Sequence, residues 1–85
     1  MIIKAIVTDF TFLLKGEINF EIDYNKTFQE VKNIYFEKLK ENNIETNNYC
    51  NYDSFKIIVG GKIVKMEDDI YNYMGYDNIV MKIAF

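Results

Sequence analysis

Residues 17–41 read EINFEIDYNKTFQEVKNIYFEKLKE, and their hydrophobic period changes halfway along. In the first half Ile18, Phe20 and Ile22 alternate with Glu17, Asn19, Glu21 and Asp23. A period of two puts the apolar side chains on one face of a strand and the polar ones on the other. In the second half Phe28, Val31, Tyr35 and Leu39 recur at three- and four-residue spacing, the stripe of an amphipathic helix. Ile34 and Phe36 flank the stripe and widen its buried face. Thr27 and Glu30 have the spacing of a capping box at the helix start. Asn42 and Asn43 suit its end.

Working outward, residues 2–9 (IIKAIVTD) are β-branched and read as a strand. Lys4 marks its wet face, so Ile3, Ala5 and Val7 point inward and Lys4, Ile6 and Thr8 outward. Residues 10–16 form a connection with an apolar tip at Phe12, Leu13 and Leu14, which joins the two strands as a hairpin. Beyond the helix, residues 43–54 are polar and rich in asparagine, a long loop. FKIIV (55–59) is a strand, Gly60–Gly61 a two-residue turn, and residues 62–64 a short return strand. Residues 66–76 are irregular or hold one helical turn, with Gly75 expected in a left-handed conformation. IVMKIAF (79–85) closes the chain as a strand, with Ile79, Met81 and Ile83 inward and Val80, Lys82 and Ala84 outward. No repeat, linker or low-complexity block interrupts this order.

Composition excludes several kinds of chemistry. Eighty-five residues, 49% of them apolar, support one domain spanning 1–85. The chain has no histidine and one cysteine, Cys50. A histidine-based catalytic triad or dyad is therefore impossible within it, and no zinc ligand set is available. Glu67, Asp68, Asp69 and Asp77 lack the alternating spacing of a calcium loop. No catalytic residue, metal or cofactor is expected, and the chain reads as a non-enzyme. All ten basic residues are lysines and the net charge is −3, so nucleic acid is not an expected partner. No apolar run approaches the ~20 residues of a membrane span. A chain this small without a disulfide framework points to the reduced, cytoplasmic interior of a cell. The triplet Asn25–Lys26–Thr27 is a formal glycosylation acceptor, but it is taken up by the helix start. Oligomeric state is left open.

The order strand, strand, helix, strand, short strand, turn, strand resembles the ubiquitin-like β-grasp. Three stretches carry the likeness. DYNKTFQEVK (23–32) resembles the acidic turn and Thr-led helix entry of that family. FKIIVGGKIV (55–64) resembles its third strand, glycine turn and lysine-bearing return strand. MEDDIYNYMGY (66–76) resembles its acidic turn and corner, with Ile70 as the buried aliphatic and Tyr73 as the corner tyrosine. Tyr73 is expected to bond a backbone group there. The resemblance implies an α+β fold, a mixed four- or five-stranded sheet packed on one helix. The chain ends Ile83–Ala84–Phe85 rather than in the Gly–Gly tail of conjugated relatives, so a non-conjugating member is expected.

The resemblance also implies a strand order in which the first and last strands lie side by side, with the third next to the last. Ile6, Ile58 and Val80 then meet on the outer sheet face, marked by Lys4, Lys56 and Lys82. An apolar cluster rimmed by charge is the mark of a partner site. Phe12, Leu13 or Leu14 is expected to supply a further apolar contact from the first loop. The expected function is non-covalent docking of a protein partner through this face. One alternative is a small cytosolic ubiquitin-like component of a type VII secretion system. The other is a modifier whose Gly–Gly tail lies beyond this chain. The acidic strip Glu17, Glu21 and Asp23 is read as protection of an edge strand against sheet-to-sheet pairing.

Overall fold

A computed structural model describes residues 1–10, 13–14, 16–46 and 49–85. The alternating segments become strands and the 3.6-period segment becomes the helix. They are β1 (Ile2–Asp9), β2 (Gly16–Asp23), α1 (Phe28–Glu41), β3 (Lys56–Val59), β4 (Lys62–Ile63) and β5 (Asn78–Ala84). Single 3-10 turns stand at Tyr52–Ser54 and Ile70–Asn72. The sheet has five strands in the order β2-β1-β5-β3-β4. Only the β1–β5 pair is parallel; the other three are antiparallel.

One face of the sheet is dry. Ile3, Ala5 and Val7 of β1, Ile57 of β3 and Ile79, Met81 and Ile83 of β5 are buried against Phe28, Val31, Tyr35 and Leu39 of α1. These are the residues that periodicity assigns to the core, and each large one contributes about 1.5–3 kcal/mol by leaving water. Ile70 seals the core from the 3-10 turn and is fully buried.

The helix ends differ from each other in how they are satisfied. Thr27 is the N-cap, but its side chain makes no capping bond. The expected capping box is absent because backbone groups do its work. The Phe28 N–H donates to the Asp68 carbonyl (3.1 Å) and the Gln29 N–H to the Met66 carbonyl (2.9 Å). Thr27 itself bridges to Asp69. The acidic turn thus lies across the helix start and takes donors that a helix cannot satisfy itself. At the other end Asn43 adopts a left-handed φ of 56°. The Asn43 N–H donates to the Lys40 carbonyl and the Ile44 N–H to the Leu39 carbonyl, a complete Schellman motif. Ile44 packs back on the core beside it.

The long loop after α1 is fastened by aromatic contacts. Tyr52 accepts a hydrogen bond from Gln29 Nε2 (2.7 Å) and lies 3.7 Å beneath the largely buried Lys32 ammonium, measured to the ring centroid. Phe36 sits 5.1 Å from the same ring, and Phe55 and Phe85 complete an aromatic layer against Tyr35. Two expectations fail in the 66–76 segment. Gly75 is not left-handed; a Cβ there would stand 3.4 Å from Asn78 Oδ1, and its N–H donates to the Asn78 carbonyl. Tyr73 bonds a side chain rather than the backbone: its hydroxyl donates to Asp68 Oδ2 (3.1 Å), with its ring edge-on to Phe28. The left-handed glycines are instead Gly16, Gly60 and Gly61, the last two forming the β3–β4 turn.

Candidate functional site

The side of the sheet away from α1 carries no covering element among the described residues. Its composition follows from register, because residues paired across strands share a face. Ile6 pairs with Val80 on one side and Asn19 on the other. The next row runs Glu17, Thr8, Lys82, Ile58 and Ile63 across all five strands. Lys4 lies between Glu21 and Asn78, and Lys56 pairs with Ala84. Ile6, Ile58 and Val80 are therefore neighbours in two adjacent rows, with Lys4, Lys56 and Lys82 around them. Val80 is 57% exposed, and Ile6 and Ile58 are half-buried by their neighbours. Between Ile58, Gly60, Gly61, Val80 and Lys82 the surface dips into a shallow hollow of about 280 Å³.

Two apolar residues join this face that the sequence reading did not place there. Phe10 is 50% exposed, and its N–H donates to the Ile83 carbonyl, which extends the β1–β5 pairing past Asp9. The Lys82 ammonium stands 5.4 Å from its ring centroid. The alternation Lys4, Ile6, Thr8 continues to Phe10, and that continuation was the available signal. Ile63, 65% exposed, lies opposite Ile58. A two-residue Gly–Gly turn fixes that pairing by arithmetic alone.

The loop leucines go elsewhere. Leu13 and Leu14 are half-buried against the core and line a hollow with Ile18, Lys38 and Ile44, beside the C-terminal end of α1. The expectation that they rim the outer face does not match this placement. The cause is Asp9, which ends β1 on the core side and is 1% exposed. Its Oδ2 accepts the Leu14 N–H (2.9 Å) and the Tyr35 hydroxyl (3.2 Å). A buried carboxylate must be hydrogen-bonded, and these bonds draw the loop toward the helix. Phe12 lies outside the described residues.

Other chemistry finds little to build on. Among the described residues no cluster of His, Cys, Asp or Glu is arranged to hold a metal ion, and no helix is long and apolar enough to cross a membrane. Glu17 and Glu21 do stand on an edge strand, as β2 closes one side of the sheet.

No protein-family model matches the sequence, and no curated protein matches it. Solved structures do match the fold. The crystal structure of the UBL domain of Plasmodium falciparum Dsk2 superposes with a TM-score of 0.70 at 20% identity, over 98% of this chain and 96% of that one. A structure described as molecular mimicry of SUMO promoting DNA repair gives a TM-score of 0.68 at 11% identity, over 99% of this chain and 91% of that one. At such identities the agreement concerns backbone architecture, and it matches the strand order, the mixed sheet and the single packed helix described above. The chain has the ubiquitin-like β-grasp fold.

Proposed function

We propose that the chain is a non-covalent protein-interaction module that docks its partner through the outer sheet face. The carrying observation is that Ile6, Ile58 and Val80 lie together on a face that neither α1 nor a described loop covers. Val80 is exposed with the half-buried Ile6 and Ile58 beside it, and an apolar group rimmed by lysines is the mark of a partner site. The UBL domain among the structural matches supports an interaction role for this architecture.

The chemistry of the face specifies its partner. Ile6, Ile58, Val80, Phe10 and Ile63 require an apolar centre opposite them. Lys4, Lys56 and Lys82 require carboxylates at its rim, and Glu17 and Glu21 place cations at the β2 side. A standard interface buries about 800 Å² on each side, with most of the affinity in a desolvated central cluster. Leu13 and Leu14 are left out of this surface because they face the helix end.

Affinity capture from the native cell tests the reading, with Val80→Asp and Ile58→Asp as paired baits. Val80 is exposed, so its aspartate variant keeps the fold, as circular dichroism will show. The wild-type chain is expected to hold a protein that both variants lose. Retention of the same protein by both folded variants contradicts the proposal.

A further inference from the structure

The chain's own outer face meets the description of its partner. The geometry points to a second copy of this chain as an occupant of the face, in a two-fold pair that shields it when no other partner is bound. This rests on the docking reading above and goes further by naming an occupant and an orientation.

The argument is one of charge layout. The acidic residues of the face, Glu17 and Glu21, lie on β2 at one side. Lys82 and Lys56 lie on β5 and β3, displaced to the other side, while Lys4 on β1 stands beside Glu21. Two identical sheets stacked face to face are related by a two-fold axis lying between them, and such a contact is isologous. Of the two axes that keep the strands of both copies aligned, one runs along the strands and the other across them, and the charges separate the two.

An axis across the strands, through the Ile6–Val80 row, sets Glu17 over the second copy's Glu21. It also sets Thr8 over the second copy's Lys4. Like charges then meet at the β2 side, which is repulsive. An axis along the strands, between β1 and β5, reverses left and right. It sets β1 over the second copy's β5 and β2 over the second copy's β3. Ile6 then meets the second copy's Val80, and Val80 its Ile6, so the apolar centre closes on itself. Phe10 meets the second copy's Ala84. Glu17 falls over the second copy's Ile58, between Lys82 of the same row and Lys56 two residues along. Glu17, Lys4 and Lys82 each face a neutral group, over the second copy's Ile58, Asn78 and Thr8, and Glu17 has that copy's Lys82 and Lys56 beside it, so two equal Glu–Lys sets flank four aliphatic side chains.

Sedimentation equilibrium on the full chain tests this between about 10 μM and about 1 mM, where weak dimers are populated. The weight-average mass is expected to rise from 10.1 kDa toward twice that value. Glu17→Lys is expected to weaken association by about tenfold or more, since it turns attraction into repulsion at both symmetric sites. Val80→Asp is expected to abolish it. Mixing Glu17→Lys with the Lys56→Glu/Lys82→Glu variant is expected to restore a mixed dimer that neither forms alone. A wild-type chain that stays monomeric at the highest concentration overturns the proposal. So does a dimer that survives both Glu17→Lys and Val80→Asp, or a charge-reversed pair that fails to recombine. The capture experiment reads the docking face separately: a monomeric chain whose Val80→Asp variant loses a captured protein retires the second copy and leaves the docking face standing.

Discussion

Asp9 shows how one residue redirects a loop. A carboxylate at the end of a strand whose inward neighbours are Ile3, Ala5 and Val7 would be costly to bury alone. Here the Tyr35 hydroxyl and the Leu14 N–H both donate to it, and the loop follows. Removing the hydroxyl with Tyr35→Phe is expected to cost about 1–2 kcal/mol in urea unfolding, because it takes a hydrogen-bond donor from a buried polar side chain. A loss near zero would mean that the bond is not made. Tyr73 gives a second residue-level test. Its hydrogen bond to Asp68, then partial burial, then the carboxylate's charge raise its pKa above the ordinary tyrosine value. The folded chain therefore holds this proton where the unfolded chain has released it. The stabilisation is full below the unfolded pKa and is lost as pH rises through the folded one. Asp68→Ala is expected to move the Tyr73 ring titration, followed by NMR, to lower pH; an unchanged midpoint contradicts the assignment.

Among the elements, α1 separates what pattern can tell from what it cannot. Its apolar stripe was legible because Phe28, Val31, Tyr35 and Leu39 obey a period that backbone geometry imposes. Its N-terminal chemistry was not legible, because the acceptors come from Met66 and Asp68, far along the chain. A local motif such as Thr–x–x–Glu says nothing about a backbone that arrives from elsewhere. Substitutions at Thr27 and Asn43 separate the ends. Thr27→Ala is expected to change stability by less than about 0.5 kcal/mol, below the ~1 kcal/mol of a working side-chain cap. Asn43→Ala is expected to cost about 1 kcal/mol, since the left-handed conformation crowds a Cβ, while Asn43→Gly is expected to be neutral or stabilising. Thermal unfolding of the three variants checks the order. The same reasoning explains Phe10 and Ile63. Both follow from strand alternation and turn arithmetic, but each lies where a strand passes into a loop or a short return, and boundaries are the least periodic part of a sequence.

For the whole molecule, the sheet has one closed face and one open face. The closed face was readable because burial demands apolar residues on one parity of the strands that pack on the helix, with Asp9 at the end of β1 as the exception. The open face was readable in part, since Lys4, Lys56 and Lys82 each mark the parity that faces water, and fix the parity of Ile6, Ile58 and Val80 with it. Which strands lie side by side came from the resemblance to the ubiquitin-like fold, and the pairing β1–β5–β3 bears that out. Where the first loop lies was not readable, because Leu13 and Leu14 have no period and Asp9 decides for them. The most direct measurement is NMR shift mapping of the isotope-labelled chain titrated with its captured partner. The account predicts that perturbed amides and methyls gather at Ile6, Thr8, Ile58, Val80 and Lys82 while those of α1 stay quiet. Perturbations gathered instead at Leu14, Lys38, Ile44 or Tyr52, with the outer face unmoved, would contradict it.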